Sequence, residues 1–168
     1  STDVTGVDGS ADPTTPPAAA PVTTATDDEV AVSVVFDDGS QEDILHGELN
    51  ALSVPTRENA EFVAAVYGPE VPVGFESIVL TQALYSRTLD KELAKAGATV
   101  SAATRSQAQE IVMGQLTPML VASGDPEADA ERLFAEVPYL PFVVELQARQ
   151  IALAEALKTT APESERLP

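Results

Sequence analysis

The sequence has no cysteine, no tryptophan and a single histidine, His46. Without cysteine there are no disulfides, no thiolate metal sites and no thiol nucleophile. Aromatic residues make up only 5% of the chain, so an interior has to be built mainly from Leu, Val, Ile and Ala. Positive charge is scarce: 9 Lys and Arg stand against 27 Asp and Glu, for a net charge of −18. Phosphate recognition needs clustered Lys and Arg, and so does adsorption to an anionic bilayer. Nucleic acid and anionic membrane surfaces are therefore excluded as partners. The acidic excess itself reads first as solubility. No apolar run approaches the ~20 residues of a membrane span.

Motifs that carry chemistry are missing as well. There is no G-x-S-x-G elbow. Gly68, Gly74, Gly97 and Gly124 are scattered at loop positions and form no phosphate cradle. Asp125, Glu127 and Asp129 have the alternation of a calcium loop but lack its central glycine, and a helix cap explains them better. Paired acids flanked by aromatic platforms, as glycoside hydrolysis uses, are not expected from three Tyr and no Trp. His46, near Asp43 and Glu48, reads as a surface or capping residue at a strand–helix junction. Neither a cofactor nor a metal is expected, and no catalytic residue is assigned.

What the chain does contain is helical periodicity around one long stretch, residues 75–97. Phe75, Ile78, Tyr85, Leu89 and Leu93 recur at the spacing of one helical face, widened by Val79, Leu80 and Leu84. Gly97 supplies the left-handed turn that ends it. Upstream, residues 1–29 are rich in Thr, Pro, Ala and Asp, and read as a disordered acidic arm. Residues 30–45 alternate as a strand, turn at Asp38-Gly39 and return, a small β-hairpin that needs helices to lean on. A short helix over 47–53 is expected to break at Pro55. Thr56 then caps a second piece over 57–67, with Phe62, Val63 and Val66 inward. The loop 68–74 follows, then the long helix to residue 96.

Ser101 caps the next helix, with Val100 as a staple. Ala108, Ile111, Val112, Leu116, Met119 and Leu120 face one side, and Pro118 predicts a kink near 115–117. Met113 and Met119 are read as core fillers, adaptable enough to serve a binding surface. Asp125-Pro126-Glu127 opens a short helix to about residue 136. A bend over 137–141 leads to a last helix over 142–158, striped by Val143, Leu146, Leu153 and Leu157. The expectation is a mostly α fold of five or six helices around a long central helix, with one small β-hairpin near the N-terminus. The folded domain covers 30–158, and 159–168 form a disordered tail.

A strand, the Asp38-Gly39 turn, a return strand running into ILHGELNAL, the long helix IVLTQALYSRTLDKELAKAGATVS, a helix pair and a terminal helix together resemble the N-terminal domain of SurA-type chaperones. That helical domain precedes the parvulin module in bacterial foldases. Asp38-Gly39 and Glu48-Leu49 fall at the family's turn and helix-start positions. LDKELAKAGATVS, residues 89–101, resembles its most recognisable stretch. The resemblance covers residues 30–157. It implies an exported, ATP-independent chaperone or foldase domain of the cell envelope that holds unfolded or extended polypeptide. It also implies a terminal helix packed near the hairpin, and no catalytic residue in this domain.

An acidic Thr/Pro/Ala-rich arm fits a tether, and a lipid anchor at the N-terminus is the one membrane attachment the reading leaves open. A chain opening on Ser1 reads as a processed product. No parvulin-like sequence follows within the chain, so prolyl isomerisation is not assigned to it. Phe62, Tyr67, Phe75, Tyr139 and Phe142 are the candidates for an apolar groove that contacts client, with the loops at 71–75 and 138–142 as its rims. The alternatives are a structural or adaptor module of an envelope complex, and the non-catalytic part of a peptidyl-prolyl isomerase whose parvulin domain lies elsewhere.

Overall fold

The computed structural model describes residues 25–120 and 124–160. Most of the acidic arm and the last eight residues of the sequence lie outside that range. The fold is mostly α, with six helices and one small antiparallel hairpin near the N-terminus.

Strands β1 (Val30–Val35) and β2 (Gln41–Leu45) pair from Val35 opposite Gln41 to Val30 opposite Leu45, with an irregularity between Val30 and Val32. The Phe36 amide donates to the Ser40 carbonyl and the Gly39 amide to the Phe36 carbonyl, both at 2.9 Å, which closes a three-residue loop. Two strands are marginal alone, and this pair rests mainly on α1 (His46–Glu58) and α3 (Phe75–Lys95). Ile44 is fully buried beneath it. Lys91 of α3 clamps the loop: its ammonium lies 4.9 Å from the Phe36 ring centre and donates to Ser40 Oγ at 3.0 Å. The terminal helix, implied by the resemblance to pack near the hairpin, packs chiefly on the helix over Ala102–Leu116 and on α3 instead.

Residues 25–29, assigned to the arm from sequence, form a turn against the first turn of α1. The His46 and Gly47 amides donate to the Glu29 and Asp27 carbonyls, each at 2.9 Å. The backbone approaches so closely here that a Cβ on residue 47 would sit 2.9 Å from Asp27 Cβ and O.

Helix α1 does not stop at Pro55 but continues through it to Glu58. The missing proline donor is tolerated three residues before the helix end, where the Thr56 hydroxyl adds a bond to the Leu52 carbonyl at 2.6 Å. Thr56 is thus a buried helix residue and not a cap. Asn59 takes the capping role for α2 (Ala60–Val66), its side chain accepting the Phe62 amide at 2.9 Å. Phe62 and Val63 face inward and are buried.

Helix α3 ends as its sequence reads, with Gly97 at φ 61°. Its most buried positions are Phe75, Val79, Ser86, Leu89 and Leu93. Ile78 and Tyr85 belong to the outer surface, at 39% and 45% exposure. Ser101 caps α4 (Ala102–Leu116) by accepting the Thr104 amide at 3.0 Å. Pro118 ends α4 as a 3-10 turn over Thr117–Leu120. Ala108, Val112, Leu116 and Leu120 are buried, while Ile111 and Met119 are exposed.

Asp125 caps α5 (Pro126–Glu136), with Pro126 in its first turn, where no donor is needed. The final helix α6 (Tyr139–Thr160) starts three residues earlier than the bend at 137–141 suggested. Pro141 falls in its first turn, whose amides have no intrahelical partner to lose. At 22 residues α6 matches the 21 of α3, and these two helices pack together at the centre.

The few cations fasten this frame. Arg57 pairs with Glu76, Arg87 with Glu48, Arg105 with Glu145, Arg132 with Glu61 and Arg149 with Asp90, each pair joining two helices. Exposed pairs of this kind each add little stability, but they set which helix faces meet.

Candidate functional site

The residues singled out from sequence come together. Phe62, Tyr67, Phe75, Tyr139 and Phe142 form one continuous ladder of rings. Successive centres lie 6.1, 5.7, 5.5 and 6.3 Å apart, the first three pairs edge-to-face and the last stacked. The ladder is built near helix ends: α2 contributes Phe62 and its C-cap Tyr67, α3 begins at Phe75, and α6 carries Tyr139 and Phe142 in its first turns. Aromatic edges and faces attract in this geometry, so the rings pin three helix ends around the loop that follows Tyr67.

The rungs are not equivalent. Phe62, Phe75 and Tyr139 are buried and packed in the core, and of these Phe62 and Tyr139 also border a groove. Tyr67 and Phe142 are half-buried. Each of these two reaches a different groove.

One groove, of about 380 Å³, lies between α1, α3 and α6. Leu49, Leu52, Ala83 and Phe142 give it an apolar floor, and Glu48, Arg87, Glu145 and Arg149 ring it with charge of both signs. Its arginines are already held, Arg87 by Glu48 at 2.9 Å and Arg149 by Asp90 at 2.6 Å.

The other groove, of about 220 Å³, is walled by α2, α3, α4 and α6 and by the 3-10 turn. Phe62, Val66, Val112, Leu116, Met119, Leu140 and Val143 make it apolar, and the tyrosine hydroxyls of Tyr67 and Tyr139, Gln82 and Gln115 are its polar points. Burial pushes the Tyr67 phenol up to about 12, with the neighbouring Tyr139 hydroxyl adding to the rise. Burial raises Tyr139 too, opposed by polar contacts from Gln82 and Tyr67. Both phenols therefore stay neutral at physiological pH and act as hydrogen-bonding groups only.

Of the two expected rims, the 138–142 segment does line these grooves, through Tyr139 and Leu140 on one side and Pro141 and Phe142 on the other. The 71–75 segment does not, since Phe75 is core and Val71 borders a separate depression of about 460 Å³ beside Arg57. Sequence reasoning missed Gln82. A polar residue standing in helical register with Phe75, Val79, Ser86 and Leu89 was the available signal.

His46 sits half-buried at the first position of α1. Among the described residues, no group of three or more His, Asp or Glu side chains could hold a metal ion, and no helix is long and apolar enough to cross a membrane. Compared with protein-family models, with curated proteins and with solved structures, the chain matches none.

Proposed function

We propose that the chain is an ATP-independent holding protein of the cell envelope that binds unfolded, extended polypeptide, in the manner of the SurA-type domains its sequence resembles. The observation that carries this reading is the apolar groove beside the aromatic ladder. It is open to solvent, walled by several helices, and bordered by Met119, which is 48% exposed and conformationally adaptable. Grooves of this kind accept apolar side chains of a client without a fixed sequence. The net charge of −18 keeps such an apolar mouth soluble and favours basic clients. The acidic Thr/Pro/Ala-rich N-terminal segment suits a tether outside the cytoplasm.

The test is suppression of aggregation of a chemically unfolded protein by the full chain. Suppression at a near-stoichiometric ratio is expected. It should weaken in Val143→Trp, which fills the groove from its half-buried wall. A folded chain that leaves aggregation unchanged overturns the holding function. In that case the outward pair Ile78 and Tyr85, on one face of α3, favours the second reading, an adaptor that docks a folded envelope partner.

A further inference from the structure

Gln82 is an unusual wall for an apolar groove. Its carbonyl oxygen Oε1 is shielded from solvent and has no hydrogen-bond partner, the only side-chain atom of that kind among the described residues. Its side chain lies against the Tyr139 hydroxyl, and Oε1 is left over. Buried side-chain acceptors in native proteins are almost always paired. An unpaired one in the wall of an open groove asks for a donor that arrives with a ligand.

We propose that this groove takes one large apolar side chain of an extended peptide, and that on binding the Gln82 amide turns toward the groove so that Oε1 accepts the backbone N–H next to it. The inference rests on the holding function proposed above and specifies how the groove reads its client. Three observations select this occupant. First, the surrounding wall of Phe62, Val66, Val112, Leu116, Met119, Leu140 and Val143 is apolar, so the occupant needs an apolar body as well as a donor. Second, about 220 Å³ is less than the ~300–1,000 Å³ of small-molecule sites, and suits a single side chain such as Leu or Phe.

Third, charge selects the flanks. Arg57, Arg87, Lys91, Lys95, Arg105, Arg132 and Arg149 all lie within ion-pair distance of carboxylates, so the acidic excess is left to set the field around the groove. The client segment should carry Lys or Arg beside its apolar residue and no acid. Backbone N–H recognition also explains how such a site stays tolerant of sequence, because every residue but proline carries that donor.

Labelled peptides with a central Leu flanked by Lys and Ser, titrated into the full chain and followed by fluorescence anisotropy, test this directly. Replacing single peptide bonds by esters removes one N–H at a time. We expect one ester position to weaken binding about tenfold, the worth of one buried hydrogen bond. Gln82→Met, which keeps the shape of the side chain but has no acceptor, should weaken the parent peptide similarly and make that ester harmless. Exchanging Lys for Glu in the peptide should weaken binding further, and added salt should shrink that difference.

If binding needs the Leu but no ester matters and Gln82→Met binds like the parent chain, the Gln82 inference falls and the holding function stands. If peptides fail to bind while aggregation is still suppressed, the inference falls because clients use another surface. If neither peptides nor unfolded protein are held, both fall together. Should Gln82→Met fail to fold, the ester series on the parent chain decides alone. Concentration-dependent self-association that competes with peptide would make a second copy the occupant and overturn the proposal.

Discussion

Phe75→Leu is the perturbation that most directly tests whether the aromatic ladder holds the fold together. Phe75 is fully buried and lies between two rings, 5.7 Å from Tyr67 at 68° and 5.5 Å from Tyr139 at 69°. Leucine keeps the residue apolar but removes both edge-to-face pairs, each worth ~0.5–1.5 kcal/mol beyond simple burial. The unfilled ring volume adds about 1 kcal/mol. The sum is about 2–4 kcal/mol, a large share of the ~5–15 kcal/mol of a typical domain. Urea unfolding followed by helical circular dichroism should show the midpoint falling by about 1–2 M with an unchanged slope.

Phe142→Leu is the matched control. It has one stacked neighbour at 6.3 Å and is half-buried, so its loss should be about 1 kcal/mol or less. A double-mutant cycle between Phe75→Leu and Tyr139→Leu should return a coupling of about 1 kcal/mol. If Phe75→Leu costs no more than Phe142→Leu, the ladder does not fasten the helix ends, and the reasoning is refuted.

Three further outcomes follow from the same structure. Asn59→Ala removes the cap of α2 and should cost about 1 kcal/mol in the same urea assay, while Thr56→Ser, which keeps the hydroxyl bonded to Leu52, should retain the helix content of α1. Gly47→Ala places a methyl group against Asp27 and should release the 25–29 turn, seen as faster amide exchange at residues 46 and 47 and a stability loss of about 1–2 kcal/mol. The alkaline limb depends on Tyr67. Its folded pKa of about 12 lies above the 10.0 of an unperturbed tyrosine, so the unfolded chain loses the proton first and stability declines between those pH values. After discounting for its partial exposure the loss is about 1 kcal/mol. Tyr67→Phe should flatten that limb; an unchanged alkaline profile would show that the phenol is not shielded.

The elements were legible where local chemistry decided them. Asp125-Pro126, Ser101, Gly97 and the break at Pro118 act within a few residues of themselves, and the structure uses all four. The reading failed where a proline was judged without its position in a helix. Pro141 sits in a first turn, where no donor is needed, and α1 runs on past Pro55 into its last turn, where the Thr56 hydroxyl bonds the Leu52 carbonyl.

The larger misreading concerns which face of α3 is inside. Ile78 and Tyr85 fit the stripe by size and apolarity, yet they stand about 60–80° round the helix from Phe75. The places they were expected to fill are taken by Val79, Gln82 and Ser86. A helix packed by α1 on one side and α6 on another must bury more than one stripe, and a narrow contact can accept a small polar residue that a hydrophobicity pattern discards. One such discarded position, Gln82, lines the candidate groove. The aromatic residues marked the helix ends correctly, since rings in a chain so poor in them are used where several elements meet. They could not indicate which rings would be covered, because that depends on how α6 and α2 close over α3. What distinguishes a groove from a core seam here is Gln82. A polar side chain in core register, with its oxygen unpaired, marks the place where the packing was left open.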